Sequence, residues 1–241
     1  MRRSADRFLT VAPARPDAEA GWAVTRHSFS FGEHYDPDVV GFGALVALND
    51  ETVRAGEGYP EHTHRDVDIV TWVLSGALWH RDTAYADDDS VVTLEPGDVQ
   101  LLSAGAGVTH AEGASEAGPV RFVQAWVRPD EPGGPAAYVV GGVKTTCLSS
   151  AWVLLASGSD EDAILELRSH GTSLWVTRLE ARVARELPEA ASAYVLVARG
   201  TVEVDGPGRL EEGDALTITR PAPLTVTAVE PAEVLVWTFA S

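Results

Sequence analysis

One cysteine and one methionine stand in a chain of 241 residues. A lone thiol, Cys147, cannot close an intramolecular disulfide, which agrees with a reducing compartment, and a cytoplasmic location is expected. Cys147 itself reads as a small buried hydrophobe. No apolar run is long enough to span a bilayer. Two arginines follow Met1 without an apolar stretch behind them, so no signal peptide is expected. Positive charge is scarce too: 18 Lys and Arg against 36 Asp and Glu leave a net charge of -18. Such a surface repels phosphate, so neither nucleic acid nor membrane is expected as a direct partner. The one dense acidic run, Asp87-Asp88-Asp89, reads as a solvated loop, because no EF-hand pattern surrounds it.

The first half also lacks any long helical period. What it has instead is a series of short alternating segments punctuated by Gly and Pro, which argues an all-β sandwich or barrel. Strands are expected at 23–31 and 43–48, then one long strand over 62–75. Gly76 turns the chain into a return strand ending at Asp82. Further strands are expected at 90–94, 99–103, 108–112 and 120–127, and 129–135 reads as a linker. In the second half strands are expected at 175–179, 194–198, 201–204, 216–219, 224–228 and 234–239. Residues 160–168 fit a short strand or a turn of helix equally.

Two stretches carry the chemistry. Glu61-His62-Thr63-His64 and Thr109-His110-Ala111-Glu112 each hold metal-capable side chains at i and i+2. On a strand the side-chain period is two, so each pair points to one face. Turned inward across a barrel, His62, His64, His110 and Glu112 meet at one point. Three neutral imidazoles and a carboxylate hold a divalent first-row ion and leave positions open. Asp66 and Asp68 share the parity of His62 and His64. They read either as partners of a ligand's second nitrogen or as surface carboxylates pairing with Arg65 or Arg81. His27, His34 and His80 read as structural. Trp72, Leu74, Leu101 and Trp126 are core by default, with an apolar pocket for a flat aromatic as the alternative.

The halves repeat one another. Val73-Leu-Ser-Gly76 resembles Val197-Ala-Arg-Gly200, and Leu94-Glu-Pro-Gly97-Asp98 resembles Leu210-Glu-Glu-Gly213-Asp214. Two like domains are therefore expected, over 1–135 and 136–241. Counting from the matched glycines places Glu186, Pro188, Val226 and Ala228 at the ligand positions of the second half. Its one histidine, His170, lies far from them, so the second barrel is expected to be metal-free.

Gly56, His62-x-His64, Gly97-Asp98 and Gly107-x-x-His110 together resemble the two motifs of the cupin superfamily. Many cupins carry a Glu a few residues after the second His; Asp68 stands near that place. With His110-x-Glu112, His27-Ser-Phe-Ser-Phe31, Tyr35-Asp36-Pro37 and Ser103-Ala-Gly-x-Gly107, the chain resembles the pirin family of bicupins, densely from Trp22 to Trp126. The resemblance implies two tandem jelly-roll-type β-barrels and one iron-type site in the first. By position its ligands are His62, His64, His110 and Glu112. Fe(II) is the expected ion; Ni, Cu, Mn, Co and Zn suit the same donors. Some bacterial members are similar to quercetin 2,3-dioxygenases, which open a flavonol ring with O₂ and release carbon monoxide. Glu112 would take the proton from the enolic hydroxyl of a small aromatic substrate. The animal members imply an alternative: a metal- or redox-sensing regulator with a protein partner.

Overall fold

The computed structural model describes residues 11–12, 16–17, 21–30, 35–84, 91–219 and 223–240. His34, Asp87–Asp89 and the last residue of the expected strand 23–31 lie outside the described residues. The chain is almost wholly β. In order come β1 (Val11–Ala12), β2 (Pro16–Asp17), β3 (Ala23–His27), β4 (Leu45–Val53), β5 (Gly58–His64) and β6 (Asp68–Ser75). Then follow β7 (Leu78–Asp82), β8 (Val92–Leu94), β9 (Asp98–Ser103), β10 (Val108–Ala114), β11 (Val120–Val127) and β12 (Ala137–Gly142). The helix α1 (Thr145–Ser150) leads to β13 (Val153–Ser157), β14 (Leu165–Glu166), β15 (Thr172–Leu179), β16 (Ala184–Glu186) and β17 (Ser192–Arg199). The last are β18 (Thr201–Val204), β19 (Gly208–Glu211), β20 (Ala215–Ile218), β21 (Thr225–Ala228) and β22 (Ala232–Phe239).

Contacts divide the chain into two compact units at Val143/Lys144. This is later than the expected 135/136, because β12 zips onto β9 from Ala137↔Ser103 to Gly142↔Asp98. The short strand β1 belongs to the second unit, where Val11 and Ala12 pair with Leu216 and Ala215. Each unit is two sheets packed around an apolar centre. The first has the orders β12-β9-β6-β11-β4-β3-β2 and β5-β10-β7-β8; the second has β1-β20-β17-β22-β15-β13-β14 and β16-β21-β18-β19. From β9-β6-β11-β4-β3 to β20-β17-β22-β15-β13 the order is the same, strand for strand, so the textual repeat is a repeat of topology. The turn glycines repeat as well. Gly76 and Gly200 hold φ of 78° and 73°, and a Cβ at either would collide with the carbonyl of Pro119 or Pro231. Both positions therefore demand glycine for conformation and for space.

Three expectations change. Residues 62–75 are two strands, since β5 and β6 lie in different sheets and the chain turns between them at Asp66, which holds φ 55°. Residues 160–168 contain no helix among the described residues; they turn and then form β14. Cys147 is exposed, because Leu148 takes the buried side of α1. Among the described residues no helix is long and apolar enough to cross a membrane.

Candidate metal centre

The centre is built on β5, β10 and β7. Strand β10 lies between the other two, with His110 directly opposite His62 on β5 and opposite Asp82 on β7, and Glu112 opposite His80. The β5–β10 register slips between His110 and Glu112, since Glu112 faces Tyr59. Pro60 and Glu61 thus oppose Ala111 alone, a bulge that accommodates a proline with no N–H to give. The bulge has a second effect: the Pro60 carbonyl accepts the Nδ1–H of His62 at 2.8 Å, leaving Nε2 to face inward.

The imidazoles of His62, His64 and His110 converge. Ring centroids are 4.3 Å apart for His62–His110, 4.8 Å for His62–His64 and 4.9 Å for His64–His110. One nitrogen from each lies within 4.8 Å of the others, and the same holds for the donor atoms of His80, His110 and Glu112. His110, Glu112 and His80 are buried, whereas His62 and His64 are half-buried. The centre therefore opens on the β5 side. Both nitrogens of His110, Oε2 of Glu112 and Nδ1 of His80 are buried with no hydrogen-bond partner. Buried polar atoms are rarely left so, and His110 stands between the other histidines and Glu112, the one residue shared by both groups. That is what a cation site looks like from its donors: His62-His64-His110 and His80-His110-Glu112 form two groups joined at His110, a His/Glu cluster compatible with one metal ion.

Electrostatics put these groups in their ligand-ready forms. Burial, with the neighbouring His62 ring, pushes His64 down to about 4. Burial also pushes His110 down to about 4, aided by the three other rings and opposed by Glu112. Both are neutral near pH 7. Burial alone would raise Glu112, but His80, His110 and Gln124 outweigh it and hold the carboxyl below its ordinary range. Burial would lower His80, yet Asp82 and Glu112 flank its two nitrogens, at 3.0 and 4.0 Å, and hold it above its ordinary value. Its ring stacks on Tyr138 with centroids 4.4 Å apart. His80 is thus the hydrogen-bonded structural histidine expected from sequence, and it is also a wall of the centre.

A polar belt supports Glu112 from below. Asn49, Gln124, Thr71 and Gln100 stand side by side across β4, β11, β6 and β9. Gln124 Nε2 donates to Glu112 Oε1 at 2.7 Å and to Thr71 Oγ1 at 3.2 Å. Gln100 Nε2 also donates to Thr71, and the Tyr138 hydroxyl donates to Gln100 Oε1 at 2.7 Å. Deeper in the barrel, Glu51 accepts from Tyr59 and Asn49. Of the four expected pocket residues only Trp126 shares the belt's face, packed edge-on to His64 at 4.8 Å. Trp72 and Leu101 are displaced by one residue from Thr71 and Gln100 and so lie on the opposite face. Leu74 sits at the bulge opposite Arg121 and Phe122. Asp66 follows neither expectation, since it accepts the Gly133 N–H at 2.6 Å; Asp68 is buried on β6 and is no surface carboxylate, while Arg81 pairs with Glu61 and Arg65 donates to the Ala106 carbonyl.

The second unit keeps the strands and changes the residues. Glu112 pairs with His80, and Val226 pairs with Val204; His80 and Val204 follow Gly76 and Gly200 at the same distance. Leu224 and Val226 therefore stand where His110 and Glu112 stand, one strand period earlier than Val226 and Ala228, the positions expected from counting. The belt becomes Trp175, Val236, Val195 and Leu216. No donor remains in that row to hold an ion.

The pattern of the Pirin family matches residues 9–127, and that of the quercetinase C-terminal cupin domain matches residues 154–238. A Mycobacterium tuberculosis relative, whose name carries a provisional quercetin 2,3-dioxygenase assignment, is 40% identical over 98% of this chain and 93% of its own length. The chain belongs to the pirin family. An Escherichia coli protein named quercetin 2,3-dioxygenase is 26% identical over 95% of this chain and 97% of its own length. The crystal structure of a bacterial pirin from Escherichia coli in complex with nickel(II) superimposes with a TM-score of 0.85 and 26% identity, over 97% of this chain and all 100% of the other. Pirin-type bicupin architecture is thus common to this chain and its neighbours.

Proposed function

We propose that this pirin is a metal-dependent dioxygenase of the quercetin 2,3-dioxygenase type, acting on a flavonol or a related enolic aromatic with O₂. The observation that carries the reading is the pair of buried, unpartnered donors on His110 and Glu112, with His110 grouped with His62 and His64 on one side and with Glu112 on the other. We assign His62, His64, His110 and Glu112 as the ligands of one divalent ion, expected to be Fe(II). The nickel(II) seen in the Escherichia coli pirin supports a first-row ion of this kind. The names of the relatives support the substrate class.

A bound ion supplies charge stabilisation for a deprotonated substrate and holds the reactants together. The chain supplies the rest. Glu112 is held as a carboxylate with Oε1 on Gln124 and Oε2 unpartnered, so Oε2, as a ligand that loosens, would accept the proton of an enolic hydroxyl brought beside it. His80, between Asp82 and Glu112, keeps the negative charge of Glu112 buried at low cost. The half-buried His62 and His64 leave the β5 side as the approach, where the Trp126 indole offers an aromatic flank. The second barrel, with Leu224, Val226 and Val204 in place of donors, serves as a metal-free companion.

The test is aerobic turnover of quercetin by protein loaded separately with iron, nickel, copper, manganese or cobalt, followed by loss of visible absorbance. Loss that requires both O₂ and metal is the expected result. No loss with any of the five metals rejects the reading.

A further inference from the structure

Glu112 has two oxygens, and the chain treats them differently. Oε1 accepts from Gln124 Nε2 at 2.7 Å, while Oε2 is buried without a partner. Which end of the Gln124 amide faces Glu112 is fixed from elsewhere. The Trp126 indole N–H lies 3.2 Å from Gln124 Oε1. An indole N–H can only donate, so the amide oxygen must face it and the NH₂ must face Glu112. Thr71 Oγ1, at 3.2 Å, takes a second proton of the same NH₂ group. A flipped amide would set N–H against N–H at Trp126 and oxygen against oxygen at Glu112. Trp126 and Gln124 are i and i+2 on β11, so one strand face carries the relay.

We propose that Trp126 and Gln124 are positioning residues: a donor relay that keeps Oε1 of Glu112 for the protein and leaves Oε2 as the one oxygen offered to the ion. The proposal rests on the reading of Glu112 as a ligand. Trp126 then acts on two ligands at once, since its ring also packs edge-on to His64 at 4.8 Å. The pocket wall that a flat substrate would meet is the same side chain that sets the orientation of the carboxylate.

The experiment uses the full chain loaded with Co(II) alone. Affinity is read by chelator competition and coordination by the d–d absorption. The infrared difference between loaded and metal-free protein reports the splitting of the carboxylate stretches, which is wide for one-oxygen binding and narrow for two. Gln124→Met keeps the bulk and removes both N–H donors. Trp126→Phe keeps an aromatic ring beside His64 and removes the indole N–H together with the bulk of the second ring. The wild type is expected to show the wide splitting. Both variants should bind Co(II) more weakly, Gln124→Met by about ten- to a hundredfold, as for other partners that orient a ligand. Their splitting should narrow and their d–d bands weaken as Oε1 becomes available.

Wild-type affinity and an unchanged splitting in both variants would overturn the relay, as would a narrow splitting in the wild type. Should Gln124→Met fail to fold, Trp126→Phe and the wild-type infrared spectrum decide. Glu112→Gln is measured in parallel. If it binds Co(II) as the wild type does, the ligand reading fails first. If it loses Co(II) while the relay variants are unchanged, the relay alone fails.

Discussion

His62 and His110 face one another across β5 and β10, with ring centroids 4.3 Å apart. Imidazoles so placed cannot both be charged at low cost, and His110 avoids that by staying neutral. His64 and His110 are pushed down to about 4, mainly by burial. In the folded chain these rings bind fewer protons than in the unfolded chain between about 4 and 6.5. Their contribution to stability is therefore full above about 6.5 and falls as the pH drops through about 4. Metal binding meets little proton competition from them over the same range. Apparent metal affinity, measured by chelator competition, should vary little from these two groups between pH 8 and 5 and fall steeply nearer 4. A steep loss already centred on pH 6.5 would show ordinary, solvated histidines.

Glu51 gives the opposite slope. Burial first, then the nearby charge of Glu112, raises its carboxyl to about 7 from an ordinary 4.5. The folded chain holds a proton there that the unfolded chain has released. The group is neutral and harmless at low pH and costs stability as the pH rises through 7. The full effect is about 3 kcal/mol by linkage. Glu51→Gln removes the titration. Its stability relative to the wild type should therefore improve between pH 5 and 8, as measured by urea unfolding. A difference that does not change with pH would contradict the buried, near-neutral Glu51.

His80 separates two buried carboxylates. Replacing it with Phe keeps a ring to stack on Tyr138 but removes the two ring nitrogens that stand between Asp82 and Glu112. Removing one partner of a buried ionic group costs about 3–5 kcal/mol. His80→Phe should lower the stability of the metal-free protein by about that amount. An unchanged unfolding midpoint would show that His80 carries no charge of consequence.

Gly113 and Gly58 meet back to back where β10 crosses β5. A Cβ on Gly113 would lie 2.5 Å from the Glu57 carbonyl and 2.7 Å from Gly58 Cα. Nothing flexible stands there to yield. Gly113→Ala should cost about 1–3 kcal/mol by overpacking and should weaken metal binding, because Glu112 is the preceding residue. Thermal unfolding together with metal affinity checks both. A variant as stable and as tight as the wild type would show that the two strands separate freely.

Strand parity made the donors legible. His62, His64, His110 and Glu112 announce themselves as two i, i+2 pairs, and a period of two is all that β geometry requires. The repeat was legible through its turn glycines, whose φ no other residue adopts comfortably. The turn at Asp66 was not, because a non-glycine at φ 55° leaves no compositional mark and the apolar text runs on through β6. His80 is legible as a hydrogen-bonded histidine, and His80-x-Asp82 even has the spacing of the ligand pairs, but its place beside Glu112 is not, because that contact comes from the neighbouring strand. Gln124 was hidden for the same reason. A buried amide in a strand signals a partner, but only the cross-strand register with Thr71 and Asn49 says which. Counting residues in the second barrel failed at Ala228 because loop lengths differ between the halves while the ladder register is kept.

Metal content decides the account most directly. Freshly isolated protein, and its His62→Ala and His110→Ala variants, are to be assayed for bound metal alongside circular dichroism of the folded chain. The wild type should carry one divalent ion per chain, and each variant should lose it while the second barrel stays folded. Unchanged metal content in both variants would contradict the ligand assignment on which the proposed chemistry stands.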